Sequence, residues 1–359
     1  MDWPFILAST VKIIVFSFMM ILPLVALCTW AERRVSAAIQ DRVGPNRVGP
    51  FGLLQPVADG VKFLLKEDFT PSHVRKTYYW MAPALVMVPS LLTCAVLPFG
   101  SRLFGEKMVI ADLDVGPLFV FAIASLTVYG IVLAGWASNS KYPFLGGVRS
   151  TSQMISYEIC LGLSIVPLIM IFGEFNLGRI VQYQAENGWS VLPLWGEGLS
   201  VKGLLLAIPV FISFIIFTTS MFAETNRLPF DLPECETELV AGYHTEYSSM
   251  KFALFFLGEY AAMIIGSGLA VTLFLGGWSL PFGWLTPESA DAEVPFWHGL
   301  VHIGVFFAKV IGFILFFIWI RWSLPRFRYD QLMRLGWVFF FEIALANVIL
   351  TALILMFVK

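Results

Sequence analysis

Long apolar segments recur along the chain, separated by shorter segments that carry most of the charged residues. An α-helix needs about 20 apolar residues to cross about 30 Å of hydrocarbon. The pattern predicts eight membrane spans, near residues 5–30, 80–99, 115–137, 154–172, 204–222, 252–275, 300–320 and 336–357. The expected fold class is therefore an all-α integral membrane protein, with a single polytopic membrane domain over residues 1–359.

Basic residues are distributed unevenly between the loops. Sixteen of the 23 Lys and Arg residues fall in the loops that follow the odd-numbered spans, and five fall in the opposite loops and at the C-terminus. Lys and Arg are enriched in the cytoplasmic loops of membrane proteins. The distribution therefore predicts that both termini lie outside and that the odd-numbered loops lie in the cytoplasm or matrix.

Composition excludes several classes of function. Charged residues make up 13% of the chain, against about 25% in soluble domains, which excludes a soluble enzyme. The net charge of −2 offers no basic surface for nucleic acid. The four cysteines form no C-x-x-C pair and give no support for an iron–sulfur cluster. His298 and His302 have no acidic or Cys partner in register, so we predict interfacial histidines and no metal site.

The loop after the first span has two local features. The sequence Arg-Val-Gly-Pro occurs at 42–45 and again at 47–50; proline fixes φ and glycine permits a close approach, so we expect a stiff loop. A short amphipathic helix is predicted to follow from Pro56, with apolar Val57, Val61, Leu64 and Leu65 on one face and Asp59, Lys62 and Lys66 on the other. Such a helix is typical of the membrane interface, although a surface helix without function fits the pattern equally well.

Five predicted spans contain an ionisable residue, namely Lys12, Glu158, Glu259, Lys309 and Glu342. Charged residues in hydrocarbon are costly, so they normally face protein or water and often serve ion or proton paths. Glu259 and Lys309 lie deepest along their spans, whereas Lys12 and Glu342 could extend to the headgroups. The alternative is structural, with Glu158, Glu259 and Lys309 pairing to hold helices together.

The loop at 223–251 is acidic although it contains many apolar residues. Its carboxylates are Glu224, Asp231, Glu234, Glu236, Glu238 and Glu246. Apolar residues such as Phe230 and Leu232 predict that the segment packs against protein. If residues 234–238 are helical, Glu234 and Glu238 face the same way, and like charges raise a carboxyl pKa toward the range where it carries protons. An ordinary solvated charge run fits the spacing equally well.

Several segments have specific sequence signatures. They are ERRVSAAIQDRVGPNRVGPFGLLQPVADGVKFLLKE at 32–67, GWASNSKYPFLGGVRSTSQMISYE at 135–158, ETNRLPFDLPECETELVAGYHTEY at 224–247, LFFLGEYAAM at 254–263 and LPRFRYDQLMRLGW at 324–337. In this order, with eight predicted spans, they resemble the quinone-site membrane subunit of respiratory complex I, the proton-translocating NADH:quinone oxidoreductase. The resemblance covers nearly the whole chain.

The resemblance implies a subunit without a redox cofactor of its own, at the junction of the membrane and peripheral arms. Such a subunit forms most of the tunnel for the substrate quinone and couples quinone reduction to proton translocation. Flavin and iron–sulfur clusters belong to partner subunits. The implied partners are the peripheral-arm quinone-site subunits, the small and antiporter-like membrane subunits and the lipid bilayer. Chain length and the developed 173–203 loop favour a bacterial inner membrane over a mitochondrial one.

The resemblance also assigns residues, mainly in two quinone-site loops at 31–79 and 223–251. Positions that match the tunnel are Arg33, Arg34, Arg42, Arg47, Asp59, Arg227 and Phe230. Positions that match the proton relay are Glu224, Glu234, Glu236 and Glu238 in the acidic loop and Glu158 and Glu259 in the membrane. The chain departs from the family pattern at four positions: Val338 and Glu342 replace a frequent Lys and Pro, and His244 and Ser249 replace a common Asn and Gly. We expect His244 to be neutral and exposed.

Three other functions fit parts of the sequence. The anchor subunit of a related membrane-bound hydrogenase complex shares some of these motifs, and its partner subunits would distinguish it. A stand-alone ion-coupled transporter could use Glu158, Glu259 and Lys309, but the chain shows no internal repeat of the kind common in transporters. A purely structural scaffold would tolerate Gln at each buried carboxylate.

Overall fold

The computed structural model describes residues 9–193, 195, 200–232, 236–287 and 294–357. Eight helices in this part of the chain are long and apolar enough to cross a membrane, which confirms the predicted number. We call them spans 1 to 8: Ser9–Ile39, Lys76–Val96, Gly116–Ala137, Lys141–Phe172, Gly203–Glu224, Ser249–Phe274, Phe296–Ser323 and Tyr329–Phe357. The predicted start of span 1 near residue 5 lies outside the described residues.

Several spans depart from a regular α-helix, and short elements connect them. Span 1 is a π-helix over Ile14–Ile21 before its α-helical part, and span 8 is a π-helix over Leu335–Phe340. Span 2 ends in a 3-10 turn, and the α-helix that contains span 5 runs over Val201–Glu224. The shorter elements are the α-helices Gln55–Leu65, Leu177–Asn187 and Glu236–Leu239, the 3-10 turns Pro50–Gly52, Gly242–His244 and Pro281–Gly283, and an antiparallel pair of two-residue strands, Arg102–Leu103 and Glu106–Lys107.

Span 4 begins at Lys141 rather than near residue 154. Its first turns contain Gly146 and Gly147, and a Cβ on Gly146 would lie 2.8 Å from the backbone of Gly242. This part of the helix packs closely against protein, so it carries polar residues that a hydropathy pattern excludes from a span.

Span 6 lies at the centre of the bundle and span 8 at its edge. In span 6, 72% of the most apolar part of the helix is buried, whereas in span 8 only 17% of the corresponding part is buried. Span 6 brings Ala261, Ile265 and Phe274 into the main core, which also includes Phe217 of span 5 and Phe317 of span 7. A polar group on span 6 is therefore enclosed by protein, whereas this chain covers little of span 8.

The structure excludes one alternative for Lys309 and corrects the expectation that His302 is interfacial. Lys309 forms no ion pair within the described ranges; its ammonium donates to the carbonyls of Leu275, Gly277 and Ser279 at 2.7–2.9 Å. It therefore caps the end of span 6 rather than pairing with a carboxylate. His302 is buried, not interfacial, and its Nδ1 lies 2.7 Å from the Ser101 hydroxyl.

Candidate functional site

A cavity of about 620 Å³ lies between span 1, the helix Gln55–Leu65, span 6 and the end of span 7. This volume is typical of pockets that bind small organic molecules. Much of the wall is apolar, and the charged residues come from the end of span 1, the helix Gln55–Leu65, the end of span 7 and the loops after spans 1 and 5. A molecule with a polar headgroup and an apolar tail would match this lining.

The helix Gln55–Leu65 forms as the sequence predicts, with Pro56 in its first turn and no buried residue. The loop before it folds tightly, because Gly52 has φ +76° and a Cβ there would lie 2.4 Å from the Pro45 carbonyl oxygen. Asp59 pairs with Arg33 of span 1 at 2.7 Å. This ion pair joins two walls of the cavity.

A buried charge cluster lies at the cavity wall. The Glu32 carboxylate accepts a hydrogen bond from the Tyr260 hydroxyl and pairs with Arg321. Arg227 Nη1 lies 3.5 Å from Glu32 Oε2, and its guanidinium sits 4.2 Å from the centre of the Tyr260 ring. Glu32 and Arg227 are each 8% exposed. Because these charges are largely removed from water, each depends on its partners in the cluster.

Arg227 links this cluster to a second carboxylate. Its Nη2 lies 3.9 Å from Glu259 Oε2, and the Tyr243 hydroxyl donates to Glu259 Oε1 at 2.9 Å. Glu259 therefore faces protein, as expected for a carboxylate deep in a span. A single guanidinium thus lies between Glu32 at the cavity and Glu259 in the bundle.

Two further carboxylates lie beyond Glu259 as seen from the large cavity. Glu259 and Glu224 both line a second cavity, of about 70 Å³, together with Asn226 and Tyr243. Glu158 interacts electrostatically with Glu224. Since a cavity of this size has room for a few water molecules, Glu32, Glu259, Glu224 and Glu158 form a series that leads from the large cavity through span 6 and the end of span 5 to span 4.

The loop after span 5 packs against protein, which confirms the prediction from its apolar residues. Phe230 is buried beside Tyr157 and Phe327, with ring centroids 5.4 and 5.5 Å apart. Asp231 pairs with Arg326 at 3.2 Å. Burial raises the pKa of Asp231 to about 6 against the opposing charge of Arg326, and the negative charge of Glu259 adds to the increase. Asp231 can therefore change protonation close to neutral pH.

The other predicted tunnel residues divide into two groups. Arg33, Arg42, Asp59 and Arg227 line the large cavity. Arg34, Arg47 and Phe230 are not among its lining residues. Arg34 donates to the Pro45 carbonyl at 3.2 Å and so holds the loop, Phe230 is part of the core, and Arg47 is exposed.

The structure describes only part of the acidic segment at 234–238. Glu238 is half exposed and pairs with Arg149 at 3.3 Å. Glu236 begins the helix Glu236–Leu239, but its side chain lies outside the described part. Glu234 also lies outside the described residues. The pairing of Glu234 with Glu238 therefore stays a prediction.

His244 is buried, so the expectation of an exposed histidine is wrong. Its ring packs against Tyr243, Phe252 and Phe256 at centroid distances of 5.1–5.8 Å. Burial lowers its pKa to about 4, so the ring is neutral at pH 7. The physical reason is the 3-10 turn Gly242–His244, which places the ring under the start of span 6, where Phe252 and Phe256 also line the cavity.

Four residues of the charge cluster were missed by the sequence reasoning: Glu32, Tyr243, Tyr260 and Arg321. Glu32 and Arg321 lie just beyond the ends of the predicted spans 5–30 and 300–320, where a charged residue is an ordinary feature of the membrane surface. A glutamate directly before Arg33 at a predicted span end was the available signal. The two tyrosines gave none, because apolar spans commonly contain tyrosine.

Comparison with known proteins identifies the family of this chain. The family described as NADH dehydrogenase matches residues 11–352. The chain is 45% identical to an H subunit of NADH-quinone oxidoreductase from Koribacter versatilis, covering 97% of each chain. It is 49% identical to an H subunit from Geobacter metallireducens over 94% of each chain, and 43% identical to the one from Flavobacterium psychrophilum over 100% of each. These names agree with the complex I resemblance and give no support to the hydrogenase alternative. The chain therefore belongs to the NADH dehydrogenase family, and its relatives are the H subunits of bacterial NADH-quinone oxidoreductases.

Proposed function

We propose that this chain is the membrane subunit of a proton-translocating NADH:quinone oxidoreductase and that its large cavity is the quinone tunnel. The observation that carries the proposal is the cavity of about 620 Å³. Its apolar wall includes Phe63, Leu64 and Phe256, and its charged residues include Glu32 and Arg227. A quinone matches this lining, because its long apolar tail fits the apolar wall and its polar headgroup fits the charged residues.

The chain itself has a non-redox role in this proposal. Electrons reach the quinone from NADH through flavin and iron–sulfur clusters in peripheral-arm subunits. This chain contributes apolar walls that guide the quinone tail and charges that respond to reduction. Arg33 and Asp59 hold the mouth between span 1 and the helix Gln55–Leu65, since their ion pair at 2.7 Å joins these two elements.

Coupling follows from the position of Arg227. Reduction of a quinone to a quinol takes up two electrons and two protons, so charge changes at the cavity while these arrive. Arg227 lies 3.5 Å from Glu32 and 3.9 Å from Glu259, and unit charges about 4 Å apart interact by about 4 kcal/mol at an effective dielectric constant of 20. A change in charge at Glu32 therefore alters the attraction of Arg227 for Glu259. Protonation can then pass along Glu259, Glu224 and Glu158.

The acidic loop would serve the same coupling. Asp231, with its pKa raised to about 6, lies near enough to feel Glu259 and Arg227. Glu234, Glu236 and Glu238 extend the carboxylates of this loop. In the proposed assembly these residues and the odd-numbered loops face the peripheral arm in the bacterial cytoplasm, and both termini lie on the opposite side.

The test is purification of the tagged chain in mild detergent, identification of every co-purifying chain by mass spectrometry and an assay of NADH-dependent quinone reduction. We expect flavin and iron–sulfur subunits and inhibitor-sensitive quinone reductase activity. Recovery with a hydrogenase-like partner, or of the chain alone, would contradict the proposal.

A further inference from the structure

The helix Gln55–Leu65 forms one wall of the large cavity but buries none of its own residues. A helix of 11 residues is marginal by itself in water, so its position depends on contacts with the bundle. Asp59, in its first half, pairs with Arg33 of span 1 at 2.7 Å. This ion pair holds the helix on the charged side of the cavity, and the C-terminal end of the helix needs an attachment of its own.

The first residue of span 6 attaches that C-terminal end. The Ser249 hydroxyl lies 2.9 Å from the Phe63 carbonyl oxygen and 3.0 Å from that of Lys66, and it donates its proton to this pair. The last carbonyls of a helix have no partner within it, so Ser249 caps the helix from another element. Ser249 has φ +56°. Glycine adopts this conformation without strain, but it has no hydroxyl to supply the cap.

Two residues later, Lys251 attaches the segment that follows the helix. Its ammonium lies 2.9 Å from Asp68 Oδ1 and donates to the Thr70 hydroxyl at 2.8 Å. It also lies 3.8 Å from the centre of the Trp80 ring of span 2. Lys251 is 5% exposed, and a buried charge depends on its partners. Lys251 therefore ties the chain just beyond the helix to spans 2 and 6.

Both attachments lie beside an apolar part of the cavity wall. Phe63 and Leu64 of the helix line the cavity together with Met250 and Phe252 of span 6. The rings of Phe63 and Phe252 have their centroids 6.3 Å apart. The distance between the helix and span 6 therefore sets the width of the cavity where its wall is apolar.

We propose that Ser249 and Lys251 are positioning residues that hold the helix Gln55–Leu65 where it contacts the apolar tail of a quinone. The inference rests on the proposed function and adds the part of the wall that discriminates quinones by the length of their tails. Loss of an attachment lowers the fraction of molecules in which the helix is in place, and apparent affinity falls in proportion to that fraction. Binding of long-tailed quinones weakens, while turnover of bound quinone stays the same.

The test uses the intact complex in its own membrane and two quinones with the same headgroup. One carries a full-length isoprenoid tail and the other a single isoprenoid unit. Ser249→Gly removes the cap and fits the backbone, so this variant folds. We expect it to raise KM for the long-tailed quinone by up to about fivefold, the factor for one hydrogen bond. The kcat value and KM for the short-tailed quinone stay unchanged.

Lys251→Met acts through the second attachment. It leaves Asp68 without its cation, so we expect KM for the long-tailed quinone to rise by at least about tenfold, again without a change in kcat. Lys251→Arg keeps the cation over Trp80 and gives a lower KM than Lys251→Met. The matched control is Lys107→Met, which removes an ion pair of the same length, with Asp112 at 2.9 Å, away from the cavity. It leaves both KM values unchanged.

Three results would overturn the inference: an unchanged KM for the long-tailed quinone in Ser249→Gly, an equal rise in KM for both quinones, or a fall in kcat without a rise in KM. If Lys251→Met prevents assembly, Ser249→Gly decides. The co-purifying subunits and NADH:ferricyanide activity are measured on the same membranes. If both are normal and KM does not respond, the inference is refuted while the proposed function stands. If the chain purifies alone, the proposed function fails, and the inference fails with it.

Discussion

Replacing Glu32 by Gln tests the charge cluster at the cavity most directly. Glu32→Gln keeps the size of the side chain and an acceptor for Tyr260, but it removes the negative charge between Arg227 and Arg321. Breaking a buried ion pair from one side costs about 3–5 kcal/mol. The Arg321 side chain is 30% exposed, so solvent screens the pair between Glu32 and Arg321. We therefore expect the substitution to cost about 3 kcal/mol, the lower end of this range.

A loss of about 3 kcal/mol corresponds to a factor of about 100. Because Arg227 loses one of its two carboxylates, its guanidinium turns toward Glu259, and the cavity wall changes shape where the quinone headgroup is proposed to arrive. Because that cost falls on folding as well as on the quinone site, we expect NADH:quinone reductase activity to fall by up to about 100-fold. Electron transfer from NADH to ferricyanide, which bypasses the quinone, stays at the wild-type rate.

Two variants act as controls for this prediction. Tyr260→Phe removes one hydrogen bond to a charged group, worth about 1.5–3 kcal/mol, so its loss of activity is smaller than that of Glu32→Gln. Glu174→Gln weakens an exposed pair with Arg179 at 3.4 Å, worth less than about 1 kcal/mol, so it leaves activity nearly unchanged. Quinone reductase activity within twofold of wild type in Glu32→Gln would refute the role of the cluster.

Further predictions concern the cavity mouth, the relay and pH. Asp59→Ala frees Arg33 and lowers quinone reduction while NADH:ferricyanide activity stays intact; equal loss of both would indicate failed assembly. Glu259→Gln or Glu234→Gln suppresses quinone reduction or proton pumping in reconstituted vesicles, and full activity of both variants would exclude the relay. His244 has its pKa lowered from 6.5 to about 4 by burial, so its contribution to stability is complete above pH 6.5 and is lost as pH falls toward 4, by up to about 1.4 kcal/mol per pH unit. His244→Asn makes thermal inactivation less sensitive to acid over that range, and an unchanged pH profile would contradict the burial argument.

The helices that build the membrane domain could be predicted from the sequence. Eight spans and the helix Gln55–Leu65 follow from the pattern of apolar residues, because the bilayer sets the length of a span and an interface sets the two faces of a helix. Span 4 is longer than the sequence predicted, because its first turns pack on protein and therefore carry polar residues. The loop motifs also identified the family, since their residues and order are specific.

Which charged groups meet could not be predicted from the sequence. Glu32, Arg227, Glu259 and Arg321 come from two span ends, a loop and the middle of span 6, and the packing of those segments brings them together. The sequence left Lys309 open between an ion path and an ion pair and placed His244 at the surface, but the fold gave Lys309 three carbonyl oxygens and buried His244 among aromatic rings. Hydropathy is a property of a local segment, whereas the partner of a charge depends on residues that are distant in the chain. Sequence patterns therefore determine where helices form, and packing determines the chemistry between them.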